Sequence, residues 1–343
     1  RAVGLGLAIS LVLTSAAGAG YDEGLAAHER GEFAAALEEF KREAADGNAA
    51  AQHYVGRYYE LGLIVERNEQ EALSWYRKAA EKGYAESQYA IGIMHASGNG
   101  VEKDLGVAAR WFREAAQQGH APAQYNLGVL YLKGLGVPED GEEAVRWFRR
   151  SAGQGNAVAQ YSLGISKEHG LGTSQNYSEA VDWYRKAAEQ GHLDAQHNLG
   201  VLYHLGLGVD LNYTKAARWY RMAAGRGYAK SQYKLGYIFA SGQGVERNDM
   251  EAVRWYGLAA SQGYSLAQRN LGMMYIEGRG VPQDYVQAHM WLNLASAGGD
   301  DAARVQRNDL ASQMTREQIA ESQKLAREWK PTKPVPAGAS RSG

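Results

Sequence analysis

The chain has 343 residues, enough for two or three ordinary domains unless a repeat makes it one elongated body. Its 37 Lys and Arg against 38 Asp and Glu create no field to draw it to nucleic acid or anionic lipid, which argues against a nucleic-acid partner. The absence of Cys excludes a disulfide framework, thiol catalysis and a lipid-modified cysteine, while a 45% hydrophobic content is enough for a sizeable core.

Residues 1–19 read as a secretory signal peptide: a basic Arg1, an apolar run from Val3 to Leu13, and small residues ending in Ala17-Gly18-Ala19. That run is about eleven residues, where a membrane span needs about twenty, so no stable membrane insertion is expected after cleavage. The chain opens on Arg1 rather than Met, and part of the basic segment is expected to be missing. A periplasmic or secreted location is expected on this basis. Residues 20–47 are expected to form an N-terminal helical cap, a degenerate half unit of the repeat that begins at residue 48, with Ala36 and Phe40 in the places of Ala72 and Tyr76.

From residue 48 to 299 the sequence repeats every 36 residues, seven times and without an insertion. Gly56, Gly92, Gly128, Gly164, Gly200, Gly236 and Gly272 keep this step, as do Trp75 to Trp291 and Gln52 to Gln268. Residues 84–119 show one unit. Ala85, Gln88, Ile91, Gly92 and His95 recur at helical spacing and predict a helix A; Ala108, Trp111, Phe112, Ala115 and Ala116 predict a helix B. "SGNGVEKD" breaks the helix between them, and Asp104 is placed to cap helix B, as are Asn68, Asp140, Asn176, Asn212, Asn248 and Asp284 in the other units. Gly in the middle of helix A costs about 1 kcal/mol relative to Ala, so its return implies that something lies too close for a side chain. The aromatic pair of helix B, such as Trp183 and Tyr184, supplies apolar area to the interface, and each unit is expected to share its core with its neighbours.

The pattern of Gln, Leu-Gly, Tyr, Gly-x-Gly-Val, Asp, Ala, Trp and Ala-Ala at these spacings resembles the Sel-one-like repeat family, a 36-residue relative of the tetratricopeptide repeats. The resemblance covers 48–299 and implies an all-α fold: a right-handed α-solenoid superhelix of stacked antiparallel helix pairs. Residues 300–330 resemble the helical ending of bacterial members, with Thr315–Gln318, "TREQ", placed to cap a final helix, and 331–343 are expected to be disordered.

Chemistry is sparse by comparison. "NLGVLYLKGLGV" at 126–137 looks like a phosphate cradle, but its Gly-x-Gly returns between helices A and B in six units and Lys133 in only one, which fits a turn. The nine His form no HExxH pattern; His197 and His204, seven apart, lack a third metal ligand, and His120 and His192 share a turn with Tyr84, Tyr228 and Tyr264. No catalytic residue, cofactor or metal is expected.

By resemblance to tetratricopeptide repeats, specificity resides on a concave face lined by helix A. The positions after the recurring Gln are His53, Tyr89, Tyr125, Tyr161, His197, Tyr233 and Arg269; one turn on lie Arg57 and Tyr237. This ladder is aromatic in the middle and cationic towards both ends. It is expected either to pack between successive A helices or to form a groove for a partner protein or peptide. The protein is expected to be a non-enzymatic scaffold or regulator in the bacterial envelope; the alternative is glycan binding or polysaccharide export, with tyrosines stacking on sugar rings.

Overall fold

The computed structural model describes residues 19–333. The predicted signal segment, Ala19 excepted, and residues 334–343 of the tail lie outside the described residues. Every regular element among the described residues is an α-helix, and consecutive helices pack as hairpins. The A helices are α3 (Ala49–Leu61), α5 (Ala85–Ser97), α7 (Ala121–Lys133), α9 (Ala157–His169), α11 (Leu193–Leu205), α13 (Ala229–Ser241) and α15 (Ser265–Glu277). Their B partners are α4 (Glu69–Glu81), α6 (Leu105–Gln117), α8 (Gly141–Gly153), α10 (Tyr177–Glu189), α12 (Tyr213–Gly225), α14 (Asp249–Ser261) and α16 (Tyr285–Ala297). Hairpins α1 (Ala19–Glu29) with α2 (Phe33–Ala45) and α17 (Asp301–Ala311) with α18 (Arg316–Glu328) flank them. The chain divides into two compact units, Arg1–Ala159 with Leu171–Thr173 and Gln160–Gly170 with Ser174–Gly343.

Each hairpin is specified locally. The seven predicted Asn and Asp caps accept the backbone N–H three residues on, from Asn68 to Asp284. The loop from A to B opens with a left-handed glycine, such as Gly98 or Gly134, at the C-terminus of helix A. The second loop glycine explains why "GLGV" recurs. A Cβ on Gly244 would lie 2.5 Å from Tyr213 and one on Gly136 would enter the Leu105 backbone, so each loop nests on the start of the preceding B helix. Ile64 holds this place in the first repeat at φ 56°, the only positive φ outside glycine among the described residues, and its side chain is exposed.

The glycine inside helix A faces a ring of its own B partner. A Cβ at Gly56, Gly92, Gly128, Gly200 or Gly236 would stand 2.6 to 2.7 Å from Tyr76, Phe112, Phe148, Tyr220 or Tyr256. The residue after the Trp, aromatic in six repeats and Leu292 in the seventh, is therefore the buried pin of each hairpin, while most of the Trp side chains remain half-exposed. The recurring Gln ties one hairpin to the next. Its amide donates to a carbonyl eight residues back at the end of the preceding B helix, 3.0 Å at Gln124 and Gln196, and Gln118, Gln154, Gln190 and Gln262 of the following turns donate to its oxygen at 2.7 to 2.8 Å.

The ends follow the same design. The expected N-terminal half unit is a whole hairpin: Gly24 of α1 lies under Phe40, where a Cβ would stand 2.8 Å from the ring, as Gly56 lies under Tyr76. Its inter-helix turn is four residues shorter than in the repeats, which moves Gly24 out of the 36-residue register. At the other end the Thr315–Gln318 capping box forms as expected, Ser322 bonds His289 at 2.8 Å, and Trp329 meets Trp291 edge-on. Thr332, in the tail expected to be disordered, donates its N–H to the Ser261 carbonyl at 2.8 Å.

Candidate partner-binding face

The ladder residues are half-buried or buried, and most of their rings are held between the B partner and the start of the next A helix. Against the B partner, Tyr89–Phe112, Tyr125–Phe148 and Tyr161–Tyr184 have centroids 5.7 Å apart. On the other side each meets the residue that starts the next A helix, 31 positions on: Tyr89–His120 at 4.7 Å, Tyr161–His192 at 4.6 Å and Tyr233–Tyr264 at 5.4 Å. His120 and His192 also cap those helices through Nδ1, which gives the shared turn position a structural role. Arg269 keeps the rule with a different chemistry, pairing with Asp300 at 3.2 Å. Tyr125 departs from it, because Asn156 stands 31 residues on and caps α9 instead.

The two histidines of the ladder are committed to packing. His53 bonds Ser87 and His197 bonds Ser231, each at 2.9 Å, where the tyrosine units carry Ala. Burial lowers both imidazoles to about 4, so they are neutral at pH 7 and supply no cationic end. The members that remain open are Arg57 and, at 40% exposure, Tyr237, both one turn beyond the ladder.

Two cavities open between successive A helices at equivalent positions, five repeats apart, one in each unit. The first, about 270 Å³, is bordered by Arg57, Glu60, Glu86 and Tyr89 over the Tyr76 hydroxyl; the second, about 250 Å³, by Tyr237, Ala240, Met273 and Arg279 over Tyr256. Each has room for a side chain rather than a drug-sized ligand, which needs about 300 Å³ or more. The first is polar: Tyr76 donates to Glu60 at 2.5 Å, and burial with this carboxylate pushes its phenol up. The second has methionine walls and a fixed cation at its edge. Arg279 pairs with Asp249 at 2.7 Å, and hydrogen bonds from Arg279 and Arg247 hold that carboxyl down at about 2.

Sequence reasoning missed the position eight residues after the recurring Gln. Glu60 and Glu168 stand there opposite Tyr76 and Tyr184, whereas Ala96 and Leu132 face Phe112 and Phe148; this pairing across 16 residues was the available signal. Lys167, which replaces a helix A aromatic, is buried and paired with Glu179 at 2.9 Å. Among the described residues no group of three or more His, Asp or Glu is placed to hold a metal, and no helix is long and apolar enough to cross a membrane.

A family model for the Sel1 repeat matches at residues 49–84, 85–120, 121–156, 157–192, 193–228, 229–264 and 265–300. The chain belongs to the Sel1 repeat family. Within each matched repeat the recurring glycine, pin residue, glutamine and cap build the hairpin and its stacking. A Sel1 repeat protein from Oxalobacter formigenes is 33% identical over 80% of this chain and 80% of its own, with a TM-score of 0.65. A protective antigen of uropathogenic Escherichia coli with an SLR fold is 29% identical over 92% of this chain and 84% of its own, TM-score 0.47. A putative Sel1 repeat protein from Klebsiella pneumoniae is 23% identical over 59% of this chain and 99% of its own, TM-score 0.37. A comparison with curated protein sequences finds no match. Sel1 repeats suggest a protein–protein interaction scaffold and protein partners.

Proposed function

We propose that this protein is a non-enzymatic scaffold or regulator of the bacterial envelope that holds an extended segment of a partner protein against the faces lined by its A helices. The observation that carries the reading is the pair of equivalent side-chain-sized cavities between successive A helices, each beside the open residue one turn past the ladder, Arg57 or Tyr237. The ladder rings supply rigid walls, since each is fixed by the B partner and most by the next helix start. The same packing disfavours sugar stacking: the rings of Tyr89 and Tyr161 already lie against His120 and His192. The envelope location rests on the sequence of residues 1–19.

Affinity capture from periplasmic extract with wild-type protein and with Arg57→Glu plus Tyr237→Ala tests the proposal. Both residues are exposed, so the variant should keep its circular dichroism spectrum while losing a partner that the wild type retains. A folded variant that keeps every partner contradicts the A-face assignment.

A further inference from the structure

The outer face of the last B helix, α16, differs from that of every other repeat. Immediately before the recurring Trp the other B helices carry Ser74, Arg110, Arg146, Asp182, Arg218 and Arg254, all exposed; α16 carries Met290, which is 6% exposed. One residue earlier, where the others have Leu, Ala or Val, stands the buried His289. Helix α18 provides the cover by turning back over α16. Its less exposed side is the amphipathic stripe of Ile319, Ser322, Ala326 and Trp329, while every charged residue of the helix is exposed. Three contacts hold it there. Ser322 bonds His289 at 2.8 Å, Trp329 meets Trp291 with centroids 6.3 Å apart, and Thr332 beyond the helix donates its N–H to the Ser261 carbonyl at the end of α14. The outer face of the last repeat is therefore a groove made for one amphipathic helix.

We propose that this groove also accepts α18 from a second copy of the chain, so that two copies exchange the segment from α18 to Thr332 and pair through their last repeats. Two properties of the segment favour exchange. It is lightly held: Ser322 is the only buried residue of α18, whereas α12 buries Ala216, Ala217, Tyr220, Ala223 and Ala224, and a helix with so little buried apolar surface opens at low cost. The groove, by contrast, is unfavourable to leave empty, because opening bares Met290 and Trp291 to water. The contacts that refill it are the same whichever copy supplies the helix, and reciprocal exchange about the turn at residues 312–314 closes a twofold dimer with both grooves filled. The inference is independent of the face that holds a partner protein.

The chain has no Cys, so one engineered pair reads the exchange directly. Ser261→Cys and Thr332→Cys replace hydroxyls that lie 3.2 Å apart. With both substitutions in one full-length chain at high dilution, a disulfide should close within that chain. The two substitutions are then placed on separate full-length chains, one with a size tag, mixed in a glutathione redox buffer and separated on a non-reducing gel. Exchange predicts a mixed disulfide between tagged and untagged chains, confirmed by mass spectrometry of the crosslinked peptides. Its yield should exceed by about tenfold that of Thr332→Cys mixed with Leu205→Cys, since a disulfide forms only between closely placed, correctly directed Cβ atoms. Leu205 is exposed on an A helix and supplies the collision control. The fraction joined in a fixed time should fall about tenfold on tenfold dilution, as mass action requires of a two-chain step. If the double variant closes within one chain but the separate chains join no more than the Leu205→Cys control, α18 stays with its own chain and the inference is overturned. A double variant that closes neither within nor between chains overturns it as well, because Thr332 then does not dock on α14.

Discussion

Gly128→Ala separates helix propensity from packing in this fold. Ala is favoured over Gly in a helix interior by about 1 kcal/mol, and on that basis alone the variant would be more stable. The added Cβ, however, would stand 2.7 and 2.8 Å from Phe148 ring carbons and 3.1 Å from the Ala144 carbonyl oxygen. Carbon atoms prefer about 3.5 to 4.0 Å, so the ring must retreat by roughly 1 Å, and Phe148 is 1% exposed with nowhere to go. Overpacking of this kind costs about 1–3 kcal/mol, which against the propensity gain leaves a net loss of up to about 2 kcal/mol. Gly257 is the control: it lies within α14, nothing stands within 4 Å of its Cβ direction, and Gly257→Ala should gain up to about 1 kcal/mol. Urea unfolding followed by circular dichroism reads both, and adding Phe148→Leu to Gly128→Ala should recover part of the loss. If Gly128→Ala is as stable as the wild type or more so, the pin-and-glycine account of the hairpin is wrong.

Other perturbations probe the connections between hairpins. Unfolded, His53 and His197 titrate near 6.5, but in the fold burial lowers both to about 4. The unfolded chain therefore holds the extra protons between those values, so stability is complete above pH 6.5 and falls as pH drops towards 4, by up to about 3 kcal/mol per ring. Replacing both by the neighbouring solution, His53→Tyr with Ser87→Ala and His197→Tyr with Ser231→Ala, should flatten the melting temperature over that range. Lys82→Gln and Arg226→Gln should each stabilise by about 0.5–1.5 kcal/mol, measured by urea midpoint, because the Gln52 and Gln196 amide oxygens have no partner where the next turn lacks glutamine. Ile64→Gly should stabilise by about 0.5–1 kcal/mol, left-handed strain of about 1–2 kcal/mol being relieved against the extra chain entropy of glycine. A lower midpoint in any of these variants removes the corresponding explanation.

The hairpins were legible in the sequence because their determinants are local. The caps from Asn68 to Asp284, the left-handed glycines and the buried Ala-Ala pairs act within a few residues of where they stand, and seven copies reveal the period. The first hairpin was half-hidden, since its shorter turn breaks the register that exposes Gly24. The face was less legible. A residue such as Tyr89 or His53 follows the same Gln in every unit, but whether it is open depends on a partner 31 or 34 residues away, His120 or Ser87. Tyr237 and Arg57 look no different from Val129 or Ile165 in spacing; only the packed helices show which side chains protrude. The missing partner of the Tyr220 hydroxyl is visible only when the residues opposite each pin are compared, Glu60 and Glu168 against His204.

Site-specific photocrosslinking in the native envelope addresses the central claim most directly. A photoreactive phenylalanine at Arg57 or Tyr237, on the A helices, is compared with one at Met222, exposed on helix α12. Partner binding on the A face predicts a discrete protein adduct from the A-helix positions and none from Met222; adducts from Met222 alone, or equally from all three, would contradict it.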